Sequence, residues 1–159
     1  MSQRVQRQTI LRLRKHPEHF FEHVLGAHPE EYQNRIAKTV ALNRRTAVAA
    51  CHDVGKTFTV ARLILWFASC FENSKVITTA PTFNQVKNIL WSEIRSAHAK
   101  SKIPLGGKML QTEWHLAPEW FAMGFTPRNE LTHGTGQGTA SSFQGFHAPG
   151  GILVVFDEA

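Results

Sequence analysis

Residues 46–57 read Thr46-Ala-Val-Ala-Ala-Cys-His-Asp-Val-Gly-Lys-Thr57. Residues 46–50 are small or β-branched and suit a short strand. From Lys56 to about Phe71 the chain is apolar over much of a helical surface, as a helix laid on a sheet should be. Between them, Ala50 to Thr57 fits the phosphate-loop pattern [AG]xxxxGK[ST], in the strand-before, helix-after setting that this loop requires. The backbone N–H groups of Ala50, Cys51, His52, Asp53, Val54 and Gly55, with the helix N-terminus, form a positive cradle for phosphate oxygens. Gly55 lets the backbone approach closely. Lys56 brings a point charge to the β- and γ-phosphates, and the Thr57 hydroxyl is a ligand for Mg²⁺. Ala50 replaces the commoner Gly but is small enough to keep the turn.

Downstream, Lys75-Val-Ile-Thr-Thr-Ala80 reads as a buried parallel strand. Pro81 ends it, and Thr82 or Asn84 suits the cap of a long helix with Val86, Ile89, Leu90, Ile94 and Ala97 on one face. Strands are expected near Met109–Leu116 and Trp120–Phe125, followed by a Gly/Thr/Ser-rich loop. The chain closes on the apolar run Gly151-Ile-Leu-Val-Val-Phe156 and then Asp157-Glu158-Ala159. Carboxylates at the C-terminal end of such a strand lie where open α/β sheets bind ligands. Asp157 can hold Mg²⁺ through its waters, and Glu158 can orient or deprotonate an attacking water. Strands alternating with helices predict an α/β domain with a mostly parallel sheet flanked by helices.

Upstream, the first 43 residues read as three helices. The second opens at Pro17 and ends at Gly26, and the third begins near Pro29-Glu30-Glu31. Residues 1–28 are taken as a basic helical segment and 29–159 as the phosphate-loop domain. The whole chain of 159 residues, 42% hydrophobic and 19% charged, is long enough for one cored domain and is not disordered in composition. Its net charge of +6 is concentrated upstream, because residues 1–45 hold nine Lys/Arg against four Glu. Such an excess points to a polyanion, nucleic acid first, with a solvated helical face as the plain alternative. No apolar run is long enough for a bilayer crossing, basic residues interrupt any signal core, and two cysteines without a CxxC pair exclude a disulfide scaffold. A protein of a reducing compartment, away from membranes, is expected.

Several stretches, in their order along the chain, resemble phage terminase large subunits, the ATPases that drive viral DNA into capsids. They are Tyr32-Gln33, Val54-Gly55-Lys56-Thr57, Ile77-Thr-Thr-Ala-Pro-Thr82, Ser142-Phe-Gln-Gly-Phe-His147 and Val155-Phe-Asp-Glu-Ala159. The resemblance spans roughly residues 29–159. It implies a P-loop NTPase of the ASCE, RecA-like class that binds ATP and Mg²⁺ and acts in the bacterial host cytosol. By position, Gln33 reads the adenine edge with Tyr32 near the base, Lys56 and Thr57 hold phosphate and metal, Asp157 supports the metal, and Glu158 is the catalytic carboxylate. The Thr79–Thr82 segment relays the state of the site toward DNA. The implied partners are double-stranded DNA gripped without sequence preference, a portal, a small terminase subunit and further copies of the chain. Many terminases carry an arginine within the loop. Here that neighbourhood holds His52, and Arg44 and Arg45 precede the strand.

Two other functions compete with the motor: a helicase-like ATPase on the same scaffold, and a non-hydrolysing prophage remnant that binds nucleotide or partners. His16, His19 and His23 share a helical face and could ligate metal, but a polar face of a basic helix explains them better. Cys51 lies beside the phosphate donors. The four tryptophans read as packing rather than as base-stacking platforms. In the RecA-like class a further strand follows the Asp-Glu strand and inserts between it and the loop strand. Strands 46–50 and 151–156 are therefore expected to flank an absent centre, the alternative being direct pairing between them.

Overall fold

The computed structural model describes residues 3–49, 55–80, 82–125 and 147–157. Three helices, α1 (Gln3–Lys15), α2 (Pro17–His23) and α3 (Glu31–Leu42), precede the long α4 (Lys56–Cys70). Strand β1 (Lys75–Thr79) then leads into a helical stretch made of α5 (Phe83–Gln85), a π-helical turn (Val86–Leu90) and α6 (Trp91–Ala99). Strands β2 (Lys108–Met109), β3 (Glu113–Ala117), β4 (Trp120–Phe125) and β5 (Ile152–Phe156) complete the order.

Helix α4 forms where its sequence places it, and its composition decides what surrounds it. Thr59, Ala61, Arg62, Leu63, Ile64, Leu65, Trp66, Ala68 and Cys70 are all buried, so apolar residues point in every direction round the helix. It is covered by the sheet and α6 and also by α1, α2 and α3. Phe20, Phe21 and Ala37 from the first helices, with Val24 and Leu25 from the turn after α2, join the same core as Val76, Trp91 and Trp114. Trp66 donates its indole N–H to the Leu13 carbonyl at 2.7 Å, and the Arg14 Nε–H donates to the Cys70 carbonyl at 2.6 Å.

Strand β1 is buried along its whole length and pairs in parallel with β4 on one side and β5 on the other. The strand order is β2-β3-β4-β1-β5. The sheet is mixed rather than mostly parallel, because β2 pairs antiparallel with β3 and β3 with β4. The reason is local. Only Pro118 and Glu119 separate Ala117 from its partner Trp120, and a connection that short can only reverse the chain.

No strand forms over residues 46–49, the described part of the strand expected at 46–50. Residues 46–49 are exposed and outside the sheet, and Ala50 lies outside the described residues. Thr46, Ala47 and Ala49 offer little area to bury, and a strand exists only against a ladder partner. No ladder among the described residues joins 46–49 to β5, so the direct pairing weighed against an absent centre is not seen. The face of β5 bearing Ile152, Val154 and Phe156 is exposed.

The helix expected after Pro81 starts at Thr82, whose hydroxyl accepts from the Gln85 N–H at 3.3 Å while its own N–H donates to Gln85 Oε1 at 3.0 Å. The π-helical turn interrupts that helix before α6, and the indole of Trp91 is fully buried against the sheet. Its N–H donates to the Thr78 hydroxyl at 3.0 Å. Gly124 on β4 makes room for this contact: a Cβ there would strike the Trp91 indole and come within 2.6 Å of Val86. No helix among the described residues is long and apolar enough to cross a membrane.

Gly124→Ala is expected to destabilise the fold by about 1–3 kcal/mol, the cost of overpacking a dense core. Urea unfolding checks this: the midpoint falls with the slope unchanged, and an unmoved midpoint would show that the Trp91 contact yields freely.

Candidate nucleotide site

The turn Phe71–Ser74, closed by the Ser74 N–H on the Phe71 carbonyl at 3.2 Å, folds β1 back along α4. The C-terminal end of β1 therefore lies at the same end of the molecule as the N-terminus of α4. Strand β5 runs parallel in register, Thr79 opposite Phe156, and the Asp157 N–H donates to the Thr79 carbonyl at 2.9 Å. Gly55, Lys56 and Thr57 thus share the carboxyl end of the sheet with Thr79, Ala80 and Asp157. At a helix N-terminus the first backbone N–H groups have no intrahelical acceptor and carry the positive end of the helix dipole.

Gly55 is the N-cap of α4 in the left-handed conformation, with φ 73° and ψ 27°. Three donors converge on its carbonyl: the Thr59 N–H and the Thr59 hydroxyl, both at 3.1 Å, and the Gln33 side-chain amide at 3.3 Å. Gln33 is 6% exposed. Its other amide atom, Oε1, accepts the Glu30 N–H at 2.9 Å, which completes the capping box of α3. A Cβ built on Gly55 would lie 2.6 Å from Gln33 Nε2 and 3.3 Å from the Tyr32 hydroxyl. Tyr32 and Gln33, more than twenty positions upstream of Gly55, therefore press on the loop's glycine. Lys56 and Thr57 follow in the first turn of α4, both half-buried.

Beside that turn lies an open groove of about 390 Å³, lined by Thr57, Phe58, Asn88, Ile89, Ser92 and Glu93. Its far wall is the π-helical turn and the start of α6. Arg62 locks the two walls together: its guanidinium donates to Glu93 at 2.7 Å and to the Phe58 carbonyl at 2.8 Å, and lies 3.2 Å from the centre of the Phe58 ring. Burial lowers the Arg62 pKa below its ordinary value, and the hydrogen bond to Glu93 works the other way.

Of the residues predicted for the site, Gln33 touches Gly55, Lys56 and Thr57 follow it in the first turn of α4, and Asp157 lies at the same end of the sheet. Ala50, Cys51, His52, Asp53, Val54 and Glu158 lie outside the described residues, as do residues 142–146 of the resemblance. Thr57 and Asp157 are hard oxygen donors of the type Mg²⁺ takes. Among the described residues no group of three His, Cys, Asp or Glu could hold a metal ion by itself. The His16 ring stacks on His19, centroids 5.1 Å apart, and His23 lies tilted against His19 at 6.0 Å, along the helical face expected for them. His147 and the Arg44–Arg45 pair are exposed. Thr59 and the double use of the Gln33 amide were not read from sequence. The signal for Gln33 was present, since Glu30-x-x-Gln33 is a capping-box spacing.

Comparison with known proteins gives no match: no family model, no curated protein and no solved structure is similar to this chain.

Gly55→Ala forces a side chain into a left-handed residue and into the Gln33 amide. It is expected to cost about 1–2 kcal/mol of stability. A thermal melt checks this, and an unmoved melting temperature would show that the Gln33 amide yields freely to a side chain.

Proposed function

We propose that this chain is the nucleotide-binding part of an ATP-driven DNA motor of the kind its motifs resemble, the terminase large subunit. ATP binds at the N-terminus of α4, and its hydrolysis is coupled to movement of double-stranded DNA. The observation that carries this reading is the Gln33 amide on the Gly55 carbonyl. The resemblance requires a base-reading glutamine and a phosphate loop, distant in sequence, to serve one ligand, and the contact brings those two features together.

Roles follow from the chemistry of the residues. The α4 N-terminus and Lys56 neutralise phosphate oxygens, which draws charge away from the bond that breaks. Thr57 and Asp157 would hold Mg²⁺, which supplies further neutralisation on the phosphates. Glu158 accepts a proton from the attacking water as its oxygen bonds the γ-phosphorus, and the bonding pair leaves with ADP. Two hydrogen bonds provide a route outward. Asp157 is tied to the Thr79 carbonyl, and the neighbouring Thr78 hydroxyl holds Trp91 at the head of α6.

Lys56→Ala is expected to weaken MgATP binding by about a hundredfold, the size of a lost charge-assisted phosphate contact of a few kcal/mol. Equilibrium titration with a fluorescent ATP analogue measures it, and wild-type affinity in the variant would overturn the assignment. Glu158→Gln is expected to keep MgATP binding while slowing hydrolysis at least about a hundredfold, because an amide cannot act as base. Phosphate-release kinetics on the full-length protein test this, and parallel losses in binding and turnover would make Glu158 structural instead.

A further inference from the structure

The last turn of helix α1 is held by the rest of the protein. Leu13 packs on the core and accepts from Trp66, while Arg14 bonds the Cys70 carbonyl and lies 4.8 Å from the centre of the Phe71 ring. In contrast, every residue from Gln6 to Arg12 is exposed, and Ile10 and Leu11 are 42% and 47% accessible. Two turns of helix therefore present their side chains to solvent. A helix of this length is marginal in water unless something covers it.

The charge of this arm is of one sign, since the first acidic residue of the chain is Glu18. At about 100° per residue, Arg7, Gln8, Leu11, Arg12 and Lys15 fall on one side of α1, opposite Leu13. The structure also sorts the basic residues of the first 45. Arg14 is spent on Cys70 and Phe71, and Lys38 lies 3.5 Å from Glu18. Arg7, Arg12 and Lys15 remain on the outward face, exposed.

We infer that α1 is a docking arm for the phosphate backbone of duplex nucleic acid, with Arg7, Arg12 and Lys15 as its contacts. A single α-helix matches the width of a duplex major groove. The arm carries no aromatic residue, which single-strand binding would use for stacking and an interfacial membrane helix would use as an anchor. Its exposed apolar residues, Ile10 and Leu11, are too few for insertion into lipid. The inference names the surface by which the proposed motor would meet DNA, but it stands on the arm's own geometry and charge.

The test replaces all three cations by glutamine in the full chain, Arg7→Gln, Arg12→Gln and Lys15→Gln together. Binding to a mixed-sequence duplex DNA is then measured from 50 to 300 mM salt. Three phosphate contacts correspond to a log–log salt slope of about 2.7, so the variant is expected to lose about that much of the slope and at least tenfold in affinity at low salt. Circular dichroism and the melting temperature are expected to hold, because none of the three side chains is packed. Unchanged slope and affinity would overturn the inference. So would wild-type protein that prefers vesicles of anionic phosphatidylglycerol to duplex DNA, or that covers the arm by concentration-dependent self-association in a centrifuge. MgADP titration of the same variant keeps the two proposals apart. Retained nucleotide affinity with lost DNA binding supports the arm and leaves the site intact, whereas duplex binding in a protein that takes no nucleotide would refute the motor and leave the arm standing.

Discussion

Helix α4 is apolar round its whole circumference, and the rest of the architecture answers to that. A helix with one apolar stripe can lie on a surface, but α4 must be enclosed. The sheet and α6 supply part of the enclosure, and α1, α2 and α3 supply the rest. Burying Leu63, Ile64, Leu65 and Trp66 together removes several hundred square ångströms of apolar surface from water, at roughly 25 cal/mol per Å². The helices that come before the loop in sequence are thus drawn against its far side. That places the first turn of α3, with Tyr32 and Gln33, at the N-terminus of α4.

The Gly55 carbonyl is where this packing becomes chemistry. Three donors share it, and the Gln33 amide spends both of its ends on the backbone, one on Glu30 and one on Gly55. A buried amide held at both ends has little freedom to rotate, so it fixes the distance between α3 and the loop glycine. The left-handed conformation of Gly55 and the missing Cβ are two sides of one requirement: the amide of Gln33 occupies the space a side chain would need. A base-reading role remains compatible with this arrangement. Nε2 has a second hydrogen and Oε1 a second lone pair, and a reader held rigid loses less entropy on binding than a free one.

Legibility from sequence tracked how local the cause was. The bounds of α4, β1, β4 and β5 came out within a residue of expectation, because each is a dense apolar run closed by Gly, Pro or a polar pair. Thr82 as a cap was readable from Thr-x-x-Gln. The strand at 46–50 was read from its own small and β-branched residues, and Thr46, Ala47 and Ala49 bury too little to make a strand without a partner. The antiparallel half of the sheet followed from Pro118-Glu119, a two-residue connection whose meaning depends on both flanking runs being strands. In the site, the pattern at Gly55-Lys56-Thr57 was visible at once. Gln33 was assigned to the site only through resemblance, and its contact with Gly55 was not read, since nothing local to residue 33 says which backbone carbonyl its amide will meet.

The Arg62–Glu93 pair shows why the site end is more than a helix terminus. Arg62 lies two turns into α4 and Glu93 in the first turn of α6, so the pair ties the loop helix to the element that Trp91 ties to β1. A buried guanidinium is costly unless paired, and its stacking on Phe58 with a second bond to the Phe58 carbonyl spreads that cost over three partners. Between these anchors the π-helical turn carries Asn88 and Ile89 along the groove that opens at Thr57. A π turn holds one residue more than an α turn would, and such turns inside helices are frequent at functional sites. The rigid ties therefore lie at Thr78, Trp91 and Arg62, and the least regular backbone of the helix lies between them, facing Thr57. That segment and the first turn of α4 thus face one another across the groove, while Gln33 closes the other side of Gly55.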